Sequence, residues 1–248
     1  MTPPNLTSDL LPVPHGFFGS KGGVSTDVYA SLNTGQLSDD DKDAITENRA
    51  RIQTALEAKH LISLHQIHSD TVLIAKDNSV ANLEADGLVT TQPGLAISAL
   101  SADCGPVLLA DAKAGVIGAC HAGWRGALSG IVESTVATMC ELGAVPENMT
   151  AVLGPCIGPD NYEVGADFKS AFCEIESEYA KFFHVPKGKK AHFDLPAFIL
   201  SRLAVMNIRA EWTGQCTYAH SEEYFSYRRN THAGIRAYGR NLSAIVLP

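Results

Sequence analysis

Short apolar runs bounded by turn or polar residues dominate the hydrophobic pattern of this chain. Such runs are typical of strands in a buried sheet. They predict strands at 13–18, 61–67, 71–75, 87–91, 95–100, 106–110, 116–120, 150–153 and 242–247. Apolar positions at helical spacing predict helices over 43–58, 127–142, 167–183 and 195–206. Because the strands occur in runs and do not alternate strictly with helices, the pattern favours an α+β fold over a doubly wound sheet.

Length and composition describe one ordinary globular domain. The chain has 248 residues, of which 45% are apolar and 19% charged, and its glycines and prolines are spread along the whole length. At this size a folded chain buries roughly 70–75% of the surface that the unfolded chain exposes, so a large core is expected. We predict an N-terminal tail over residues 1–11 and a single catalytic domain over 12–248.

The charge balance excludes several classes of partner. With 19 Lys and Arg against 27 Asp and Glu, the net charge is −8 and no basic cluster is present, so no nucleic-acid partner is expected. No stretch reaches the ~20 apolar residues that span a bilayer, so no membrane partner is expected either. The first residues lack the pattern of a secretory leader, and we expect a cytoplasmic protein. The six cysteines show no C-x-x-C pair and are interpreted as thiols.

Three segments place candidate metal-ligating or nucleophilic side chains beside predicted strand ends: 65–69, 102–106 and 120–126. A catalytic zinc takes three protein ligands and keeps a fourth position for water or substrate, and two histidines with one cysteine fit that number. The spacing does not choose between His65 and His68, nor between Cys104 and Cys120. A metal-free interpretation is also possible, in which Cys104 is a nucleophile and His121 or His68 is its general base.

Cationic side chains near these segments are candidate anion ligands. Arg125 lies at the start of a predicted helix, where unpaired N–H groups and a guanidinium can bind phosphate together. Arg228 and Arg229 follow a run of aromatic residues that can stack on a flat base. A multicopper oxidase is disfavoured, because its centres need many more imidazoles and the nine histidines include no H-x-H pair.

A series of motifs resembles a known family. The chain carries, in this order, HGFF at 15–18, KGGVS at 21–25, YASLN at 29–33, ENR at 47–49, HQIHS at 65–69, ADGLVT at 85–90, ADC at 102–104, HAGWRG at 121–126, GPCIG at 154–158, YEVG at 162–165 and FSYRR at 225–229. From about residue 12 to the end, this order is similar to that of the bacterial polyphenol oxidase or laccase-domain family. That family is also called peptidoglycan editing factor, and its members are now assigned as zinc-dependent purine nucleoside phosphorylases.

The resemblance implies a single α+β domain with layered mixed β-sheets flanked by helices. It also implies a zinc ion held by His68, Cys104 and His121, with copper as an alternative occupant. The implied reaction is phosphorolysis of adenosine, inosine, guanosine and methylthioadenosine, together with deamination of adenosine. Catalysis is accordingly assigned to the same three residues, and Asp103, next to the cysteine, is predicted to orient an imidazole.

Phosphate binding is assigned to Lys21, Arg125, Arg228 and Arg229. Two departures bear on these roles: the glycine loop has Lys21 where family members commonly carry Thr-Arg before the glycines, and the tail after Arg229 lacks the Asp-Gly-x-Thr-Gly-Arg pattern. Two rival functions remain, a metal-free cysteine hydrolase or amidase acting on peptidoglycan precursors and a non-catalytic zinc-stabilised protein. The second would be favoured by a fourth ligand such as His65. The sequence does not fix the oligomeric state.

Overall fold

The computed structural model describes residues 2–186, 188 and 190–248. The strands are β1 Asn5–Leu6, β2 His15–Phe18, β3 His60–Ile62, β4 Val72–Ile74, β5 Gly87–Thr90, β6 Leu95–Ser101, β7 Gly105–Asp111, β8 Val116–Ala122, β9 Thr150–Leu153, β10 Glu163–Val164, β11 Phe183–His184, β12 Ala191–Phe193, β13 Arg209–Trp212 and β14 Asn241–Ile245. The α-helices are α1 Lys42–Ala55, α2 Trp124–Ser129, α3 Ile131–Glu141, α4 Ala166–Ile175, α5 Leu195–Val205 and α6 Tyr227–His232.

Two mixed sheets make the framework, and a small antiparallel sheet is added at one end. The first sheet has the order β1-β2-β14-β6-β3, the second β13-β9-β7-β8-β5-β4 and the third β10-β12-β11. This arrangement confirms the predicted α+β fold with layered mixed sheets and flanking helices. Among the described residues, no helix has both the length and the apolar character needed to cross a membrane.

The central strands of the second sheet, β5, β7, β8 and β9, are almost entirely buried, which explains why they are mainly apolar. In β8, Ile117 and Ala119 belong to an apolar core shared with the first sheet, while Val116 and Cys120 belong to a core shared with α3 and α5. This alternation follows from the two-residue period of a strand. His121 continues the row of Ile117 and Ala119 at the end of β8, so its side chain emerges where the two sheets meet.

The structure corrects several sequence predictions. The segment predicted as an N-terminal tail forms β1, which pairs with β2, and Leu10 and Leu11 are buried because these apolar side chains join the core between the sheets. The helix predicted at 127–142 is divided into α2 and α3 at Gly130, whose φ of 105° is left-handed. The helix predicted at 167–183 ends at Ile175, and a 3₁₀ segment covers Ser177–Phe182.

Candidate metal centre

Three donor side chains that are far apart in sequence meet at one edge of the second sheet. His68, Cys104 and His121 each offer one ligand atom, and these atoms all lie within 4.8 Å of one another. The Sγ of Cys104 is 3.9 Å from the Nε2 of His68, and the two imidazole rings are 4.8 Å apart in an edge-to-face arrangement. Donor atoms around a tetrahedral zinc are separated by about 3.5 Å, so the set needs only a small contraction to hold an ion.

Each donor is placed by a different element. His121 ends the central strand β8, opposite Pro106 of β7, and is buried. Cys104 lies in the turn between β6 and β7, immediately after Asp103, whose φ of 93° reverses the chain. His68 is exposed and lies in the loop between β3 and β4, with a left-handed φ of 63°. A rigid strand therefore supplies one donor and two tight turns supply the others.

Asp86, at the start of β5, connects two of the donors. Its Oδ1 accepts a hydrogen bond from Nδ1 of His121 at 2.8 Å, which leaves Nε2 of that ring free for the centre. Its Oδ2 accepts from the backbone N–H of Ile67 at 3.2 Å and from the N–H and hydroxyl of Ser69 at 2.6 and 2.8 Å. One buried carboxylate thus fixes the His121 tautomer and the loop that carries His68.

The prediction that Asp103 orients an imidazole is wrong. Its Oδ1 accepts from the Thr217 hydroxyl at 2.6 Å and its Oδ2 from the backbone N–H of Arg228 at 2.6 Å. The carboxylate therefore anchors the C-terminal segment to the cysteine turn. The sequence analysis assigns no role to Asp86. Its position in the ADGLVT motif, directly before the buried strand β5, is the sequence signal that points to it.

The charges of the centre are strongly coupled. Burial raises the pKa of the Cys104 thiol, but the charge and hydrogen bond of His121, together with His68, outweigh burial and lower that pKa to about 6. Burial lowers the pKa of His121, but Cys104 and Asp86 outweigh it and raise that pKa to about 9. The pair therefore favours a thiolate facing an imidazolium. A cation that binds this thiolate would displace the imidazolium proton.

The backbone at Gly123 provides the space that these donors occupy. A Cβ at this position would lie 2.8 Å from Cδ2 of His68 and 2.9 Å from Sγ of Cys104. Real Cβ contacts are essentially never that short, so a larger residue would displace both donors. Two imidazoles and one thiolate suit zinc, and they also suit copper.

The remaining candidates for metal binding lie elsewhere. Cys120 is fully buried on the α3 side of β8, and burial raises its pKa, so the structure resolves the choice between Cys104 and Cys120. His65 forms an isolated bridge with Glu84, and its Nδ1 is 3.7 Å from the Glu84 carboxylate. Within the described part of the chain, the donor group contains three side chains and does not include His65.

The two adjacent arginines of the FSYRR motif have different environments. Arg228 donates from Nη1 to the Glu163 carbonyl at 2.8 Å, and its guanidinium carbon lies 5.3 Å from the centre of the Tyr162 ring. Arg229 donates to the backbone carbonyls of Thr217, Tyr218 and Tyr224. These three hydrogen bonds support a structural role for Arg229, and phosphate binding by this residue stays a prediction.

The other two predicted anion ligands are exposed. Arg125 lies in the first turn of α2, and its guanidinium carbon is 4.9 Å from the centre of the Trp124 ring. Lys21 is 3.6 Å from the Glu222 carboxylate, with both side chains more than half exposed. Such an exposed ion pair contributes little, so Lys21 remains available to an anion.

This geometry defines a class of layered α+β proteins that have a His₂Cys centre at the end of a buried strand. The family model described as "Multi-copper polyphenol oxidoreductase laccase" matches residues 14–248. The chain belongs to this family. Although the family description names several coppers, the part of the chain that the structure describes gathers a single group of three metal donors, which is too few for several coppers.

Curated relatives and solved structures cover nearly the whole chain. The "Purine nucleoside phosphorylase" of Deinococcus radiodurans is 38% identical over 99% of this chain and 93% of its own length. The "Purine nucleoside phosphorylase YfiH" of Escherichia coli is 36% identical over 87% of this chain and 88% of its own length. The crystal structure of a Neisseria meningitidis DUF152 protein is 34% identical, covers 98% of both chains and has a TM-score of 0.88. That of Bacillus licheniformis YfiH has a TM-score of 0.86 at 28% identity and covers 94% of this chain and 92% of its own.

Proposed function

We propose that this chain is a zinc-dependent purine nucleoside phosphorylase that also deaminates adenosine. The observation that carries the proposal is the convergence of His68, Cys104 and His121 on one point, with Asp86 fixing both histidines. The printed names of the curated relatives support the reaction class, since they cover most of this chain at 36–38% identity. The proposed substrates are adenosine, inosine, guanosine and methylthioadenosine together with phosphate.

In phosphorolysis, a phosphate oxygen bonds to C1′ of the ribose while the bond from C1′ to the purine nitrogen breaks. The purine leaves with a proton, and the products are the base and ribose 1-phosphate. Zinc, held by His68, Cys104 and His121, supplies a Lewis acid at this site when bound. In deamination, water replaces the exocyclic amine of adenosine at C6 and ammonia leaves.

The chain's own residues prepare the site for an anion. Arg228 is half-buried and held by the Glu163 carbonyl and by Asp103 through its backbone, so its cationic head has a fixed position beside Tyr162. Arg125 and Lys21 supply exposed cations. Preorganised positive charge of this kind stabilises the phosphate and the charge that develops during transfer. We assign phosphate binding to Arg228 first and to Arg125 and Lys21 second.

The direct test combines metal analysis with a substrate panel. Purified protein is expected to contain about one equivalent of zinc and to convert inosine and phosphate to hypoxanthine and ribose 1-phosphate. Cys104→Ala is expected to lose both the metal and the turnover. Cys173→Ala, which removes a half-buried thiol on α4, is the matched control and is expected to keep both. Turnover that survives Cys104→Ala would rule the proposal out.

One observation favours a second candidate, the metal-free cysteine hydrolase or amidase acting on peptidoglycan precursors. The low pKa of Cys104, about 6, and its 3.9 Å approach to His68 are also what an activated thiol nucleophile needs. A chelator separates the two functions. A cysteine hydrolase keeps its rate after metal removal, whereas the phosphorylase loses its rate and regains it on addition of zinc.

The same chelation experiment tests a purely structural zinc. If the ion only closed the fold, its removal would lower the unfolding free energy without a catalytic effect. The three-donor set argues against that role, since structural zinc sites are almost always filled by four protein ligands. We therefore expect metal removal to abolish turnover while the far-ultraviolet spectrum and the fold persist.

A further inference from the structure

The structure contains a cavity that none of the three metal donors lines. Its volume is about 460 Å³, and its walls come from the loop at 35–39, from residues 64–66 and from the C-terminal segment 236–240. Pockets for small molecules commonly have volumes of about 300–1,000 Å³. His68, Cys104 and His121 do not line this cavity, and neither do Arg125 and Arg228, so the proposed reaction leaves it unassigned.

The stacked side chains of Arg240 and Tyr238 form one wall of the cavity. The guanidinium carbon of Arg240 lies 3.8 Å from the centre of the Tyr238 ring, and its Nη2 donates to the Tyr238 hydroxyl at 2.7 Å. Tyr227 supports the same ring edge-on, with the ring centres 5.0 Å apart. Stacked guanidinium and phenol planes are the surface on which a planar heteroaromatic ring packs well.

The backbone holds this wall in place. The N–H of Arg240 donates to Oδ1 of Asn33 at 2.9 Å, and its carbonyl accepts from the Thr34 hydroxyl at 2.8 Å. At Gly239 an added Cβ would lie 2.6 Å from the Phe225 ring, which shows how closely the chain is pressed against the core. The wall is therefore formed before any ligand arrives, which reduces the entropic cost of binding.

Charged groups of both signs line the same cavity. Arg236 is exposed, and among the described residues it forms no hydrogen bond or ion pair. Its five N–H donors are thus available to a phosphate group. Asp39 lies on the loop at 35–39, is exposed, and supplies carboxylate oxygens that can accept from a pair of hydroxyls. The Gln66 amide is oriented by the backbone of Leu100, to which it donates and from which it accepts at 2.7 Å.

We propose that this cavity binds a purine nucleoside monophosphate at a site separate from the metal centre. The base stacks on the Arg240–Tyr238 wall, Arg236 pairs with the phosphate, and Asp39 accepts from the ribose hydroxyls. A planar ring, a diol and a phosphate are the three groups that these side chains recognise together.

The test is a calorimetric titration of the zinc-loaded protein with adenosine 5′-monophosphate, in parallel with adenosine alone and with inorganic phosphate alone. Saturable 1:1 binding is expected, tighter for the monophosphate than for either part. Arg236→Ala is expected to weaken binding by about tenfold or more, since a charge-assisted pair with phosphate is lost. Arg209→Ala, which removes the same charge from an exposed position on β13, is the matched control and is expected to leave binding unchanged.

A competition experiment separates the two sites. Saturating inosine, without phosphate, is expected to leave monophosphate binding intact, and Arg236→Ala is expected to leave inosine phosphorolysis at the wild-type rate. Displacement of the monophosphate by inosine, or a raised KM for inosine in Arg236→Ala, would overturn the proposal of a separate site. If wild type and Arg236→Ala bound the monophosphate equally well, the assignment of Arg236 as the phosphate ligand would be overturned. The calorimetric titration measures binding without turnover, so failure of the phosphorylase proposal would leave the titration result unaffected.

Discussion

Two buried carboxylates near the metal donors, Asp86 and Asp103, have different hydrogen-bond partners and different roles. Asp86 precedes β5 and receives hydrogen bonds from His121 and from the loop that carries His68. Asp103 is the neighbour of Cys104 in sequence, yet its oxygens receive Thr217 and Arg228 from the C-terminal segment. Adjacency to a donor therefore does not indicate which carboxylate orients the donors; the pairing of β5 with β8 does.

The largest contrast is expected between Asp86→Asn and Asp103→Asn. When Nε2 of His121 binds metal, its Nδ1–H must donate, and the N–H groups of Ile67 and Ser69 must donate as well. An asparagine has one acceptor oxygen and would turn an N–H₂ group toward one of these donors. Zinc affinity of Asp86→Asn is thus expected to fall about 10–100-fold, as measured by competition with a chelating dye.

Asp103→Asn is the matched control for this change. The Thr217 hydroxyl can reverse and accept from the new amide, while the amide oxygen still accepts from the Arg228 N–H. We expect zinc affinity within about threefold of wild type, because no metal ligand changes its partner. Equal losses in the two variants would mean that Asp86 has no special role toward the metal.

Arg228 and Arg229, which are adjacent in the C-terminal segment, are likewise expected to have different roles. Arg229→Ala removes charged donors from three backbone carbonyls and is expected to lower the free energy of unfolding by about 2 kcal/mol. Arg228→Ala is expected to cost less stability but to raise the KM for phosphate about tenfold. Denaturant unfolding and initial rates at varied phosphate check both. If Arg229→Ala kept the stability of the wild type and had a raised KM for phosphate, this difference between the two arginines would be contradicted.

The smallest effect is expected at the glycine that opens the metal site. Gly123→Ala would press a Cβ against His68 and Cys104, and displacing these side chains by part of a rotamer costs about 0.5–1.5 kcal/mol, or about two- to twelvefold in zinc affinity. Gly165→Ala is a close control, since Gly165 caps α4 at φ −76° and ψ 165°, nearly the values of Gly123 at the start of α2, and has open space around it. A loss of the same size in both variants would point to the helix caps and not to the centre.

Some of the centre could be predicted from sequence, and some could not. The motif resemblance selected His68, Cys104 and His121, and the structure brings these three together. Residue spacing alone did not exclude Cys120 as the metal-binding cysteine. Cys120 and His121 are neighbours on β8 and point to opposite faces, and only the structure shows which face holds the metal donors. The role of Asp103 was predicted wrongly, since its partner Thr217 belongs to a distant, irregular segment that no periodicity describes.

The amino-acid sequence by itself determined the local elements and the fold class, because apolar runs, helical spacing and glycine turns act over a few residues. It predicted β5 to β9, β14 and α5 to within two residues at either end, and α1 to within three. Tertiary structure decided the rest: the small sheet β10-β12-β11, the pairing of the N-terminal segment with the first sheet, the Asp86 network and the cavity that Arg236 and Asp39 line. Each of these depends on contacts between segments that are separated along the chain, and local periodicity does not describe such contacts.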